Sequence, residues 1–328
     1  MPKRPMTPSE RALTALNLGM PDEVPTFELE FQLAPEFFGR EIIPPDFAPE
    51  NYSKLSLLEK ERLIDETADF FVKVYTELDY AIMPAYFPGW GHPESFEWKT
   101  FVKRIRERVG NTRLLGGHGD GTFSIPDGNQ MYDFAYRIAD DPEGLKAEAQ
   151  RMAERAIEMN KRNHEAGLDV LFLCSDYCYN SGPFLSPEMF REFITPYLYQ
   201  ICEAARRDGI PTIKHTDGNI MRILDQLVEC KPNAIHSLDP MAGVDIREVK
   251  KLVGNKVCLC GNVNCALMQT GTDEEVIASA EYCLKYGKEG GGYIFCTSNV
   301  PFRGMPPERY KLILDIWKKH RKYEEYDG

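Results

Sequence analysis

Along most of the chain, short apolar runs alternate with longer stretches in which apolar residues recur every three or four positions. The runs fall at 24–31, 79–84, about 112–115, 169–174, 210–215, 233–236, 256–260 and 293–296. Nearly continuous apolar character over so few residues predicts strands buried on both faces, as in a parallel sheet. The stretches between them predict helices at 55–78, 141–166, 220–230, 273–286 and 307–320. Several helix starts are marked chemically. Thr7-Pro8-Ser9-Glu10 and Thr272-Asp273-Glu274-Glu275 read as capping boxes, and Ser186-Pro187-Glu188 as a capping serine followed by proline. The least regular part is 98–127, where 99–109 and 112–115 read as paired strands and 116–121 as a flexible loop.

Counting the strands gives eight, alternating with helices and with no second composition regime. The expected fold is α/β, a single closed (β/α)8 TIM barrel over 1–328 with an N-terminal helical extension at about 1–20. An open doubly wound sheet is the alternative. It would need a Gly-x-Gly-x-x-Gly turn after its first strand, and none is present.

Charge and cysteine usage narrow the function classes. A net charge of −12 argues against a nucleic-acid groove or an anionic membrane surface as partner. No apolar run approaches the length of a transmembrane helix, and the first five residues are too polar for a secretion signal. Nine cysteines scattered through a long chain predict a reduced, cytoplasmic compartment rather than a disulfide framework.

In parallel barrels the carboxyl ends of the strands line the active site. Here they would bring Glu28 and Glu30, Tyr86, Asp176, His215 and Asp217, Asp239, 262–265 and 296–299 to one rim. His215 and Asp217 stand two apart, so both side chains can aim at one point, and an imidazole with a carboxylate can bind a divalent metal. Cys296 would complete a three-ligand zinc set with one position open, with Glu28 or Cys265 as a fourth or exchanging ligand. Asp176, Asp239 and His236 either hydrogen-bond substrate, orient a ligand from behind, or simply satisfy loop backbone. Tyr86, Phe87, Trp90, Tyr177, Tyr179 and Phe302 cluster at strand exits with Phe184. They read as core packing or as the wall of a pocket for a ring-bearing substrate, which Asn299 would help orient. The run Gly290-Gly291-Gly292 precedes a strand instead of opening a helix, so it reads as a tight turn rather than a phosphate cradle.

Residues 177–197, with Gly182-Pro183-Phe184-Leu185-Ser186-Pro187-Glu188 inside them, resemble the uroporphyrinogen decarboxylase superfamily. So do His215-Thr216-Asp217-Gly218-Asn219, Gly261-Asn262-Val263-Asn264 and Gly271-Thr272-Asp273-Glu274-Glu275. The resemblance covers about 20–322 and implies a (β/α)8 barrel. It also implies one of two activities, porphyrinogen decarboxylation without a cofactor or zinc-assisted methyl transfer to or from a corrinoid protein. The decarboxylases carry an arginine-rich motif after the first strand and an aspartate after the second. This chain has Glu28-Leu29-Glu30-Phe31-Gln32-Leu33 and Ala85-Tyr86-Phe87 there. The methyltransferases carry a His-x-Cys pair and a distant cysteine on the last strand. His215 and Cys296 match, with Asp217 in place of the first cysteine.

An oxygen donor in place of sulfur leaves zinc a stronger Lewis acid, suited to an ether oxygen. The expectation is therefore a zinc-dependent methyltransferase that moves a methyl group from an aryl methyl ether to the cob(I)alamin of a separate corrinoid-binding protein. The chain lacks the Asp-x-His-x-x-Gly on which such carriers hold their cofactor. A decarboxylase of another carboxylated substrate is the alternative, a binding protein on the same scaffold ranks third, and relatives of this type are often homodimers.

Overall fold

A computed structural model describes residues 4–86 and 92–323. Seven strands form one all-parallel sheet: β1 (Ile82–Pro84), β2 (Leu114–His118), β3 (Val170–Leu173), β6 (Thr212–His215), β7 (Ala234–His236), β8 (Cys258–Cys260) and β9 (Tyr293–Ile294). They lie side by side in that order, and helices fill the crossovers. A small antiparallel hairpin, β4 (Cys178–Tyr179) with β5 (Gly182–Pro183), decorates the exit of β3.

The eighth position is taken by 24–28, expected as a strand. Here the backbone is irregular, with a single parallel bridge from Thr26 to Phe295. Pro25 has no N–H to give to a ladder. The segment nonetheless joins both edges of the sheet: Phe295 N donates to Pro25 O and Ala81 N donates to Thr26 O. The curled sheet is thus consistent with a TIM barrel of the uroporphyrinogen decarboxylase type.

Residues 99–109, expected as a strand, lie in the helix Phe96–Val109. Ser95 Oγ caps it by accepting from Trp98 N, and Trp98, Phe101, Val102 and Ile105 form its buried face. That spacing is the helical period, which the aromatic and β-branched content of the stretch disguises. The following strand runs through Gly116 and Gly117, the expected loop, to His118. A Cβ on Gly116 would collide with Phe172 Cζ. Glycine there makes room for the Phe172 ring, which stacks on Phe27 with centroids 5.7 Å apart. The helix expected at 220–230 is confined to Leu224–Glu229.

The capping box at Thr7 starts the helix Pro8–Leu16, as expected, but this helix is no appendage. Its Ala12, Ala15 and Leu16 are buried in one cluster with Phe27, Ile82, Leu114, Val170, Ile213, Ala234 and Cys258. Apart from Phe27 of the irregular segment, these partners are inward side chains near the amino ends of the strands, so the helix plugs the barrel floor. A second, larger cluster fills the layer between sheet and helices. Among the described residues no helix is long and apolar enough to cross a membrane.

Gly116→Ala should cost about 1–3 kcal/mol in urea unfolding, because the new methyl overpacks against an immobilised ring. Adding Phe172→Leu should recover part of that loss; a single variant as stable as wild type would contradict the packing account.

Candidate active site

His215 ends β6, and the pleat turns it into the barrel while Lys214 faces the other way. Its Nε2 lies 3.7 Å from Asp176 Oδ1 and 3.8 Å from Asp217 Oδ1. One donor atom from each of the three lies within 4.8 Å of the others. Asp176 comes from the exit of β3 and Asp217 from the exit of β6. The loops are tied together where Asp217 N donates to Asp176 Oδ1 at 3.0 Å. Asn299 Nδ2 donates to Asp217 Oδ2 at 2.7 Å, and Ser237 Oγ lies 3.0 Å from Asp217 Oδ1, its one O–H shared with Ser298 O at 2.7 Å.

The electrostatics are those of an unneutralised anionic site. Burial raises Asp217 to about 6, helped by the neighbouring Asp176 and Asp239 charges and opposed by the Ser237 and Asn299 bonds. Burial pushes His215 down to about 3, with Lys214 and His118 adding to the effect, so it is neutral at physiological pH. Among the described residues, neither Asp176 nor Asp217 pairs with a lysine or arginine. The nearby Lys214 is spent elsewhere: its Nζ bonds Asp120 Oδ2 and Ser175 O at 2.8 and 2.9 Å, and lies 4.0 Å over the Tyr177 ring.

A 360 Å³ cavity opens onto His215, lined also by Leu29, Glu30, Tyr86, His118, Cys174, Asn299 and Val300. Tyr86 stacks on His118 with centroids 4.4 Å apart, giving the cavity a flat aromatic wall. A larger cavity of 530 Å³ lies between the loops after β7 and β8 and touches none of the three clustered residues.

The remaining expected site residues are placed as follows. Asn299 and Tyr86 are at the site. Asp239 caps a short 3-10 turn by accepting from Met241 N at 2.9 Å, which fits its structural reading. Tyr177 is fully buried, its hydroxyl hydrogen-bonded to Thr122 and its ring packed edge-on against Phe190. Tyr179 is 46% exposed on the hairpin, and Phe302 packs against the outer core. None of these three lines the cavity. Phe87 and Trp90 lie outside the described residues.

The sulfur and glutamate ligands expected for a metal are not brought to the cluster. Cys296 is wholly buried in the barrel interior with Phe27, Cys260 and Ile294, and burial raises its thiol well above the usual range. Cys265 begins the helix Cys265–Thr270 with Sγ 3.8 Å from Val300 O, its thiol raised by burial to about 11. Glu28 is buried at the barrel seam, where both carboxyl oxygens face Thr297: Oε1 3.0 Å from its N and Oε2 2.6 Å from its Oγ1. Asp176 is the third group that the structure places beside His215 and Asp217.

Two histidines beyond His215 matter. His118 ends β2 and lines the cavity; His236 ends β7, where its Nδ1 lies 2.8 Å from His215 Nδ1. The sequence signal for both is the one that singles out His215, a histidine closing an apolar run. Reading 116–121 as a loop hid the first.

A family model described as uroporphyrinogen decarboxylase (URO-D) matches residues 102–320. The chain belongs to the uroporphyrinogen decarboxylase family. Curated relatives include "Uroporphyrinogen decarboxylase" of Thioalkalivibrio sulfidiphilus, 26% identical over 64% of this chain and 60% of that protein. That of Anaeromyxobacter dehalogenans is 30% identical over 40% of this chain and 36% of that one. The chain therefore spans less than two thirds of the length of these relatives. A "methyltransferase from Methanosarcina mazei" shares the fold with a TM-score of 0.71 at 19% identity, covering 96% of this chain and 99% of that one.

Burial raises Glu28 to about 8, so native protein keeps this proton over a range where the unfolded chain, near 4.5, has released it. Stability is therefore lost progressively as pH rises from about 4.5 to 8. Glu28→Gln should be free of that loss, its urea-midpoint advantage over wild type growing across this window and then levelling. A difference independent of pH would refute the buried neutral carboxyl.

Proposed function

We propose that this URO-D family member is a metal-assisted methyltransferase taking a methyl group from an aryl methyl ether and passing it to the cobalt of a separate corrinoid protein. The observation that carries this reading is the Asp176–His215–Asp217 cluster at the barrel mouth, whose His215 lines a cavity with an aromatic wall. Around tetrahedral zinc, ligand atoms at about 2.1 Å lie roughly 3.4 Å apart. The observed 3.7 and 3.8 Å from Nε2 to the two carboxylates are close to this, and all three donor atoms lie within 4.8 Å of one another. A neutral imidazole and two carboxylates, without a cationic partner among the described residues, suit a divalent ion, and a cluster of nitrogen and oxygen donors favours oxygen substrates. Asp176, His215 and Asp217 would hold the metal, in place of the set completed by Cys296.

When bound, the ion would act as a Lewis acid toward the ether oxygen and stabilise the departing phenolate. The chain's own groups do the rest. Ser237 and Asn299 fix both oxygens of Asp217, so the carboxylate is oriented before any ligand arrives. Tyr86 stacked on His118 offers a face for one ring, and Leu29 and Val300 complete an apolar lining. The tyrosine stays protonated, burial holding its hydroxyl well above the usual range.

The family match favours decarboxylation as a second reading. Among the described residues, however, the cavity lining contains Glu30 and no lysine or arginine, and its acidic rim repels a substrate bearing many carboxylates.

Two measurements test the proposal. Purified protein, stripped and reloaded, should bind one zinc per chain, with Asp176→Ala and Asp217→Ala each weakening binding by tenfold or more. Loaded protein incubated with 2-methoxyphenol and chemically reduced cobalamin should yield methylcobalamin and the catechol, and His215→Ala should not. Methyl transfer undiminished in metal-free wild type would end the metal claim, and carbon dioxide release from a carboxylated substrate without metal would favour the second reading.

A further inference from the structure

The rings of His215 and His236 meet Nδ1 to Nδ1 at 2.8 Å. Two ring nitrogens at that distance share one proton, so one ring donates and the other presents a lone pair. A neutral pair can do this in two ways. If His236 donates, His215 carries its own proton on Nε2, aimed at Asp176 and Asp217. If His215 donates, its Nε2 is bare and His236 carries its one ring proton on Nε2. Only the second arrangement leaves a nitrogen lone pair facing the two carboxylates.

The contact is built into the fold. Parallel pairing of β6 with β7 puts His215 directly beside His236. His236 is completely buried, with its ring edge toward Phe27 at a centroid distance of 6.0 Å. Its Nε2 is buried without a well-formed hydrogen bond, the Thr297 backbone lying nearby. A buried polar atom left so poorly served costs stability, and it is tolerated here opposite the candidate metal ligand. Metal-bound histidines ordinarily donate their second N–H to a carboxylate, a carbonyl or water. A carboxylate in this position would bring a third negative charge against Asp176 and Asp217, whereas a neutral imidazole accepts the hydrogen bond without adding charge.

We infer that His236 is a positioning residue: it accepts Nδ1–H from His215 and thereby keeps His215 Nε2 as a lone pair aimed between Asp176 and Asp217. The inference rests on the metal-binding reading of that cluster. His236 itself touches neither metal nor substrate.

Zinc titration by calorimetry of the full-length protein tests it, with His236→Leu and His236→Asn beside wild type. The leucine variant removes the acceptor and should bind zinc about 10–100-fold more weakly, the range seen when such outer partners are lost. The asparagine variant keeps a carbonyl oxygen near the Nδ1 position and should stay within a few-fold of wild type. In 15N-histidine spectra of zinc-loaded wild type, assigned with His215→Gln and His236→Gln, His215 Nδ1 should be protonated and His236 Nδ1 unprotonated. That signature does not depend on whether the leucine variant folds. A leucine variant binding zinc as tightly as wild type, or a protonated His236 Nδ1 in the loaded protein, would overturn this role and leave the metal site standing. Wild type that takes up no zinc would remove the site and this role together.

Discussion

The parallel register of β6 on β7 governs what this barrel mouth can be. It sets His215 beside His236 on the inner face of the sheet, and the pleat sends the preceding Lys214 to the opposite face. Both residues are buried polar groups on one short strand, and each has to be matched. Lys214 is matched by Asp120, which also accepts from Ser175 N, Thr122 N and Thr122 Oγ1. That buried pair ties the loop after β2 to the loop after β3. Asp176 follows Ser175 by one residue, and its carbonyl is held by Ile125 N. The position of one clustered carboxylate therefore depends on an ion pair behind the sheet. Breaking one partner of such a pair typically costs about 3–5 kcal/mol because a buried charge is left alone.

In front of the sheet the balance is reversed. Two carboxylates converge on an imidazole that burial keeps neutral, and the buried Lys214 nearby is already committed. Folding tolerates this because Ser237 and Asn299 supply hydrogen bonds to Asp217 and because both acids retain some contact with water. The result is a preorganised, electron-rich corner at the edge of an aromatic cavity. Membership of the URO-D family describes the scaffold, and what the acidic corner does has to be argued from the corner itself.

Much of the architecture could be read directly, because it rests on local rules. Buried parallel strands must be apolar throughout, and helix starts must satisfy free N–H groups. Thus the alternation of runs predicts the parallel sheet, and Thr7, Ser186 and Thr272 mark helix starts that the structure contains. Where local rules compete, the reading failed. Residues 96–109 mix aromatic and β-branched residues with a helical period, and burial of Trp98, Phe101 and Ile105 decides for the helix. Residues 24–31 look like a strand, yet Pro25 and the buried Glu28 hold them as an irregular seam. Gly116 and Gly117 look like a flexible loop, yet the first is a strand glycine that accommodates the Phe172 ring.

The candidate site divides along the same line. That His215 closes a strand and Asp217 follows it at the exit is legible in the chain, although β6 stops at His215 and the loop, not the pleat, carries Asp217. Which further group joins them did not follow. Cys296 and Asp176 both stand at strand exits, and a strand exit specifies height in the barrel but not the direction or reach of a side chain. The closed curvature of the sheet turned the Cys296 sulfur into the apolar interior, while the loop held by Asp120 swung Asp176 over His215. The same register brought His236 against the back of His215, a contact between residues on different strands that no pattern within one strand encodes. Sequence determined the elements and their polar ends because those depend on neighbours a few residues away. Tertiary structure decided the constellation because it depends on how separate strands are staggered and how the loops between them are pinned.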